Sequence, residues 1–297
     1  MVLPGILLVD KPSGLTSHDV VARTRRAFGT RKVGHAGTLD PLATGLLVIG
    51  IEGATRLLTY VVGADKTYEA TIRLGQSTST DDADGEITAR ADADAWTTVS
   101  AERVTEGIAA LTGPISQVPS SVSAIKVDGR RAYDRVRAGE DVVLAARDVV
   151  VSRFEVRAER VGEGVRDLDV VVDCSSGTYV RSLARDLGAA LGVGGHLTAL
   201  RRTHVGPFDV ADAVDIDALD GATPLSPAHA ARSILPVLSV TAEEARDLRH
   251  GKRLPGQASR LVEPIAAAIH GEDDLVGVIE KRGADLKSAM NMPEAAR

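Results

Sequence analysis

Residues 34–45 read Gly34-His35-Ala36-Gly37-Thr38-Leu39-Asp40-Pro41-Leu42-Ala43-Thr44-Gly45. They lie between a helix-like segment and an apolar run, Leu46 to Ile51, which is typical of a buried strand. Glycines allow tight or left-handed backbone, and a proline disfavours the α region for the residue before it, so we expect Asp40 in an extended loop. The loop therefore presents a carboxylate beside a buried strand, which is a suitable mount for a reactive group. The alternative is a turn in which Asp40 caps backbone N–H groups.

The composition is that of a folded globular protein. The chain has 297 residues, 44% hydrophobic and 26% charged, and no apolar run approaches the about 20 residues that span a bilayer. The first residues lack the basic region of a secretory signal, and Cys174 is the only cysteine, so no intrachain disulfide can form. We therefore expect a cytoplasmic protein.

The charge is negative overall and locally uneven. A formal net charge of -6 argues mildly against a nucleic-acid partner, because phosphates attract cations. The cations are nevertheless clustered in residues 23–32, in residues 130–137, and at Arg201 with Arg202. A local basic face is therefore compatible with a negative total charge, and a solvated helix face is the alternative for each cluster.

Hydrophobic periodicity predicts an α+β fold, with a mostly antiparallel sheet flanked by helices. Residues 66–74, 149–157 and 168–174 alternate as strands do. Helices are expected at about residues 54–62, 100–111, 131–138 and 180–191, and capping boxes at Thr16 with Asp19 and at Thr241 with Glu244 predict two more helix starts.

Glycine, proline and polar residues between the predicted elements predict loops and a domain boundary. Polar, glycine-rich or proline-bounded stretches predict loops at residues 34–45, at residues 75–85, and between Pro114 and Pro119. A boundary within residues 224–236 divides the chain into a larger α+β domain, residues 1–230, and a small β-rich domain, residues 236–292. A hairpin is expected in the second domain, across residues 271–274.

Further residues are candidates for chemistry. Tyr68 lies on the apolar face of a predicted strand and is either a core residue or a ring that stacks on a base. Arg181 stands in the first turn of a predicted helix, where the helix dipole disfavours a cation. We therefore expect a carboxylate partner such as Asp40, and an ordinary surface arginine is the alternative. No histidine or cysteine lies at metal-ligand spacing from His35, and Asp82-Ala83-Asp84-Gly85 lacks the register of a calcium loop, so we predict no metal.

Several segments, in this order, together resemble one family. The loop of residues 34–45, Lys66-Thr67-Tyr68, Gly177-Thr178-Tyr179-Val180-Arg181 and Leu200-Arg201-Arg202 resemble the motifs of the bacterial tRNA pseudouridine-55 synthases, the TruB family. The resemblance covers roughly residues 5–210, and the tail resembles a reduced PUA-type RNA-binding module. It implies a pseudouridine-synthase-like mixed sheet, the T-arm of tRNA as partner, and a reaction that requires no cofactor.

The resemblance also implies roles for individual residues. Asp40 would be the catalytic carboxylate, Arg181 its partner, and Tyr68 the ring that stacks on a flipped-out uracil. Tyr179 and Leu200 would line the base pocket, and His35 would help to hold the flipped nucleotide. Lys11 and Lys126 match family segments as structural or phosphate-contacting residues, and Arg201 and Arg202 are further candidate RNA contacts.

The predicted function is the isomerisation of uridine 55 to pseudouridine in the T-arm of tRNA by base flipping. Asp40 would act either as a nucleophile on the sugar or base, or as the base that removes a ribose proton. Two other functions fit the same surface, a tRNA-folding chaperone without chemistry and a guide-RNA-dependent pseudouridine synthase subunit. The short tail favours a stand-alone enzyme, which we expect to be a monomer without an obligatory protein partner.

Overall fold

The computed structural model describes residues 2–120, 126–127, 130–131 and 144–293. Its strands are β1 (Gly5–Lys11), β2 (Val33–Ala36), β3 (Thr44–Ile51), β4 (Lys66–Leu74), β5 (Gln76–Thr78), β6 (Ile87–Arg90), β7 (Gly113–Gln117), β8 (Lys126–Val127), β9 (Arg130–Arg131), β10 (Arg147–Gly162), β11 (Val165–Cys174), β12 (Gly195–Val205), β13 (Phe208–Asp209), β14 (Val214–Asp215), β15 (Val237–Ser239), β16 (Ile265–His270), β17 (Asp274–Arg282) and β18 (Asp285–Asn291). Its α-helices are α1 (Ser17–Ala27), α2 (Leu58–Val62), α3 (Ala93–Trp96), α4 (Ala101–Ala110), α5 (Val180–Leu191), α6 (Pro227–Ile234) and α7 (Ala242–Arg249). Short 3-10 helices cover Glu52–Leu57, Val210–Asp212, Ile216–Ala218 and Ala258–Arg260.

The chain packs into two compact units. The first consists of Met1–Pro41, Gly45–Gly63 and Val205–Arg297, and the second of Leu42–Thr44 and Ala64–His204. The first unit therefore contains both the beginning and the end of the chain. No helix among the described residues is long and apolar enough to cross a membrane.

The first unit is built around β3. This strand pairs antiparallel with β1 from Gly5 opposite Ile51 to Lys11 opposite Gly45, and its second half pairs antiparallel with β2. Strand β14 adds to β1 in parallel. The side chains of Leu46–Ile49 are fully buried, as the apolar run predicts for a strand covered on both faces.

A second, four-stranded sheet lies in the same unit, in the order β15-β16-β17-β18. Helix α7 begins at the capping box of Thr241 and Glu244, and Leu248 on its buried face joins the core of this sheet. The end of β18 is tied to the segment after β3, because Arg56 Nη1 donates to the carbonyl oxygen of Asn291 at 2.6 Å.

The second unit contains a sheet in the order β12-β4-β11-β10-β7. The pairs β4–β11, β11–β10 and β10–β7 are all antiparallel. Strand β4 has the predicted alternation, because the side chains of Tyr68, Ala70, Ile72 and Leu74 are buried while those between them are at least partly exposed.

The α+β fold with a mostly antiparallel sheet, helices and a β-rich C-terminal part is confirmed. The helix at residues 180–191 and both capping boxes are also confirmed. The loop predicted between Pro114 and Pro119 is wrong, because residues 113–117 form β7. Pro114 is tolerated there because β7 ends the strand order and, among the strands that the structure describes, pairs with β10 alone.

Other local predictions also need correction. The loop expected at residues 34–45 is shorter, since residues 34–36 belong to β2 and residues 44–45 to β3, and the loop expected at residues 75–85 contains β5. The helix expected at residues 54–62 is an α-helix only from Leu58, because a 3-10 helix precedes it. The expected boundary at residues 224–236 contains helix α6, which Ser226 caps by accepting a hydrogen bond from the N–H of His229. The division into residues 1–230 and 236–292 stays a prediction, and residues 132–138 of one predicted helix lie outside the described residues.

Candidate functional site

Asp40 lies in the first unit, in the loop between β2 and β3, and it is half-buried. The backbone on both sides of Asp40 is held in place. Ser17 Oγ, at the start of α1, accepts from the N–H of Leu39 at 2.8 Å and donates to the carbonyl oxygen of Leu39 at 3.1 Å. The N–H of Gly14 donates to the carbonyl oxygen of Pro41 at 2.8 Å. The local structure therefore presents Asp40 on a backbone that hydrogen bonds fix from both sides.

Lys11 is fully buried beneath the same loop. Its ammonium donates to the carbonyl oxygens of Leu15 at 2.7 Å, Pro12 at 2.9 Å and Pro41 at 3.4 Å. A buried ammonium is tolerated only where its donors are satisfied, and here backbone oxygens satisfy them. Of the two roles considered for Lys11, this placement favours the structural one.

His35 lies in β2 opposite Ile49, and it is half-buried. Its ring meets the ring of His18 edge to face, with 5.7 Å between centroids and 80° between planes. His18 follows Ser17 at the beginning of α1, so this helix contacts both β2 and the loop that carries Asp40 through two consecutive residues.

In the second unit, Tyr68 lies on the buried face of β4, opposite Val172 of β11, with 8% of its surface exposed. Lys66 begins the same strand, and its ammonium donates to the carbonyl oxygen of Ala64. Burial, and then the positive charge of Arg202, lower the pKa of Lys66 to about 8.

The beginning of helix α5 brings together Tyr179 and Arg181. Tyr179 is the N-cap residue, and the side-chain amide of Gln117 holds it. The N–H of Tyr179 donates to Gln117 Oε1 at 2.8 Å, and Gln117 Nε2 donates to the carbonyl oxygen of Tyr179 at 3.1 Å. Arg181 Nη1 lies 3.4 Å from Asp82 Oδ2, and each of these two side chains is 5% exposed. The same nitrogen donates to the carbonyl oxygen of Thr80 at 2.9 Å.

The remaining candidates lie on β12 and β8. Leu200 is half-buried on β12, and Arg201 Nη1 lies 3.5 Å from Thr44 Oγ1. Arg202 is 1% exposed. Lys126 begins the two-residue strand β8, and its side chain lies outside the described residues.

Comparison with protein families explains the order of these segments. Residues 25–180 match the family described as TruB family pseudouridylate synthase (N terminal domain). The chain belongs to the TruB family. Residues 181–241 match the tRNA pseudouridylate synthase B C-terminal domain, and residues 235–293 match the family described as tRNA Pseudouridine synthase II, C terminal. The predicted family and the prediction of an enzyme are thereby confirmed.

Similar proteins cover almost the whole chain. The chain is 59% identical to the tRNA pseudouridine synthase B of Leifsonia xyli, over 99% of this chain and 98% of that protein. It is 53% identical to the protein of the same name from Paenarthrobacter aurescens, over 97% and 94% of the two chains.

Among solved structures, a Cbf5-Nop10-Gar1 complex contains a similar chain, with a TM-score of 0.66 and 25% identity over 98% of this chain and 84% of that chain. An H/ACA RNP bound to a substrate RNA containing 2′-deoxyuridine contains another, with a TM-score of 0.68 and 24% identity over the same shares of the two chains. The second likeness shows the fold alone.

Sequence reasoning missed two residues near the TruB-family segments, Asp82 and Gln117. Asp82 entered the sequence analysis as part of a rejected calcium loop. The signal that points to it is Arg181, because a cation in the first turn of α5 requires a nearby carboxylate. Its carboxylate also accepts from the N–H of Asp84 at 3.1 Å. Asp40 belongs to the first unit and Arg181 to the second, so the predicted pairing of these two residues stays a prediction.

In the first unit, the carboxylate of Asp40 on its fixed loop is suited to acid–base or nucleophilic chemistry on a polar substrate. In the second unit, Arg181 provides a buried guanidinium. Within residues 2–120 and 144–293, no group of three or more His, Cys, Asp or Glu side chains could hold a metal ion.

Proposed function

We propose that this TruB-family enzyme converts uridine 55 to pseudouridine in the T-arm of tRNA. The observation that carries the proposal is 59% identity, over nearly the full length of both chains, to a relative named tRNA pseudouridine synthase B. We propose further that the enzyme acts in the cytoplasm, as a monomer and without an obligatory protein partner.

The reaction is an isomerisation. The N1–C1′ bond breaks, the uracil turns, and a C5–C1′ bond forms, while C5 loses a proton and N1 gains one. Asp40 is the catalytic carboxylate in this proposal, either as the nucleophile or as the base that removes a ribose proton. The half-buried position of Asp40 and the hydrogen bonds to Leu39 and Pro41 support this role, since a reactive group works best when it is preorganised.

Arg181 is proposed to keep Asp40 ionised, as the family motif implies. A cation at this place is costly because it is buried and stands at the positive end of a helix dipole. Asp82 offsets that cost, and it also restricts the directions in which the guanidinium can point. In this proposal Arg181 is held by Asp82 and pairs with the carboxylate of Asp40 through its other donors.

The uridine has to leave the stack of its loop, at a cost of a few kcal/mol. In our proposal Tyr68, Tyr179 and Leu200 contact the flipped uracil, and His35 helps to hold the flipped nucleotide. Arg201 and Lys126 are proposed to contribute to RNA binding, whereas Arg202, at 1% exposed, is too buried for a phosphate contact, and the buried ammonium of Lys11 supports the loop from beneath. Recognition would depend on the folded shape of the T-loop more than on base edges.

A guide-RNA-dependent activity is the competing function, because a similar solved chain comes from a Cbf5-Nop10-Gar1 complex. Identity to that chain is 25%, against 53–59% to the proteins named tRNA pseudouridine synthase B. The higher identity favours the stand-alone enzyme.

Purified protein and a T-stem-loop RNA with 5-tritiated uridine test both points. We expect wild-type protein alone to release tritium, and Asp40→Asn to bind the RNA without releasing tritium. Wild-type-like release by Asp40→Asn would refute the assignment of the carboxylate. Release that requires an added guide RNA would instead favour the competing function, and RNA binding and refolding without release would favour a chaperone.

A further inference from the structure

We propose that Ser17 and Gln117 are positioning residues, each of which fixes the backbone of one segment that acts on the uridine. The proposal rests on the proposed function, because it assumes that Asp40 and Tyr179 act on the substrate. It adds two residues that contact neither the scissile bond nor the base, and it assigns them an effect on rate.

Ser17 holds the residue immediately before Asp40. Its hydroxyl accepts from the N–H of Leu39 at 2.8 Å and donates to the carbonyl oxygen of the same residue at 3.1 Å. Ser17 is 1% exposed and Leu39 is 3% exposed, so little water is at hand to replace either bond. The hydroxyl oxygen of Ser17 therefore fixes both polar backbone groups of Leu39. Because Asp40 is the next residue, these bonds also restrict the direction in which the Asp40 side chain points.

The position of Ser17 in its own helix strengthens this reading. The N-cap residue of α1 is Thr16, whose hydroxyl already accepts from the N–H of Asp19 at 3.1 Å. The hydroxyl of Ser17 is thus not required for capping and bonds 22 positions along the chain instead. Helix α1 buries Val20, Val21 and Thr24. This packing fixes the position of the helix, so Ser17 holds the loop from a rigid element.

Gln117 holds Tyr179 in the same way within the second unit. The side chain of Gln117, 3% exposed at the end of β7, bonds to both the N–H and the carbonyl oxygen of Tyr179. Tyr179 is the N-cap residue of α5, and no side-chain hydrogen bond of its own caps that helix. Gln117 therefore sets where α5 begins, and Arg181 lies two residues further along.

Ser17 and Gln117 each bond to the N–H and the carbonyl oxygen of one residue. For Ser17 this residue is Leu39, next to Asp40, and for Gln117 it is Tyr179, within the proposed site. Such a bond pair removes rotation of the local peptide groups, which one hydrogen bond would leave partly free. A displacement of about 1 Å in a catalytic group can cost roughly 100-fold in rate. The expected consequence is a loss of rate at unchanged RNA affinity, because neither residue supplies a phosphate or base contact.

The test compares Ser17→Ala and Gln117→Met with a matched control, Thr24→Val. Thr24 is a fully buried residue of the same helix α1, and its hydroxyl donates to the carbonyl oxygen of Val20 at 2.9 Å within that helix. Single-turnover tritium release is measured per folded molecule, together with the RNA dissociation constant and the melting temperature.

We expect Ser17→Ala and Gln117→Met to slow single-turnover release at least 10-fold, with RNA affinity within 2-fold of wild type. Thr24→Val is expected to stay within 2-fold in both. Release rates within 2-fold of wild type for the folded Ser17→Ala and Gln117→Met proteins would overturn the proposal, as would losses explained by weaker RNA binding alone.

Conservative variants keep the test decisive if a first variant fails to fold. Ser17→Cys keeps a weak donor and acceptor, and Gln117→Glu keeps the acceptor for the N–H of Tyr179 while losing the donor. Intermediate rates for these variants support positioning, and wild-type rates overturn it. Failure of the proposed function is distinguishable, because wild-type protein would then form no pseudouridine, or Asp40→Asn would remain active.

Discussion

Replacing Asp82 by asparagine tests whether a buried charge pair organises the beginning of α5. The substitution keeps the shape of the side chain and removes the charge that faces Arg181 at 3.4 Å. Removing one partner of a buried ion pair costs about 3–5 kcal/mol, because the remaining charge is left uncompensated. The carbonyl oxygen of Thr80 still accepts from Arg181, so we take the lower end, about 3 kcal/mol.

The neighbouring residue provides a matched control. Asp81 Oδ2 also lies 3.4 Å from an arginine, Arg185, but those side chains are 16% and 30% exposed. Asp81 has a φ of 62°, a left-handed conformation that asparagine adopts readily. Asp81→Asn should therefore cost less than about 1 kcal/mol, as more exposed pairs do.

Thermal unfolding and single-turnover kinetics together provide the readout. About 3 kcal/mol corresponds to a fall in melting temperature of roughly 6–12 °C for a chain of this size. Single-turnover release by Asp82→Asn should also fall roughly 100-fold, since a misdirected guanidinium no longer supports the reacting carboxylate. Asp81→Asn should leave both quantities close to wild type.

A double variant isolates the physical cause. Asp82→Asn combined with Arg181→Met removes the unpaired charge, so it should be more stable than Asp82→Asn alone, although inactive. Equal losses for Asp82→Asn and Asp81→Asn, or a double variant less stable than Asp82→Asn, would refute the reasoning.

Other predictions concern charge, thiol chemistry and helix capping. The Arg73 guanidinium donates two hydrogen bonds to Asp167, each 2.7 Å long, and holds the pKa of that carboxyl below its usual value. The pair therefore stabilises the folded state at neutral pH, and this stabilisation is lost as the pH falls below about 4. Arg73→Gln should cost less than about 1 kcal/mol in urea unfolding at pH 7 and a smaller amount at pH 2, and a pH-independent loss would contradict this. Burial raises the pKa of the Cys174 thiol to about 11, so alkylation at pH 8 should be slow in folded protein and fast in denaturant; rapid alkylation of folded protein would disprove the burial. Thr241→Ala removes the acceptor for the N–H of Glu244 and should cost about 1 kcal/mol by thermal unfolding, whereas Thr241→Ser should cost much less.

Local signals in the sequence predicted local structure well. The strand expected at residues 66–74 has those bounds, because strict alternation records which side chains are buried. The capping boxes at Thr16 and Thr241 also mark real helix starts, because all the groups that form each box lie within four residues of sequence. The sequence did not predict strand β7, because Pro114 is typical of a loop. A proline is tolerated in a strand at the edge of a sheet, and the edge position of β7 depends on its pairing with the distant strand β10.

Non-local pairing limited the prediction of the site in the same way. The sequence indicated that Arg181 needs a carboxylate, but it did not indicate which one, because Asp82 and Arg181 lie 99 positions apart. Gln117 and Tyr179 are 62 positions apart, and no spacing rule joins a glutamine at a strand end to a distant helix cap. Motif resemblance supplied candidate residues, whereas hydrogen bonds in the structure supplied their supports.

The charges on the segments that connect the strands of the small C-terminal sheet bear on RNA affinity. Several of these cations, between β15 and β16, lie close to carboxylates, since Arg249 contacts Asp274 and three others lie 2.7 to 3.6 Å from an acid, in the pairs Lys252–Asp247, Arg253–Asp285 and Arg260–Glu244. A paired cation releases fewer counterions when a phosphate approaches, because its charge is already partly compensated. We therefore expect the sheet and its connecting segments to contribute less to the salt dependence of tRNA binding than their number of cations implies. Its tie to Arg56, next to β3, gives it a structural role in the first unit that does not depend on RNA.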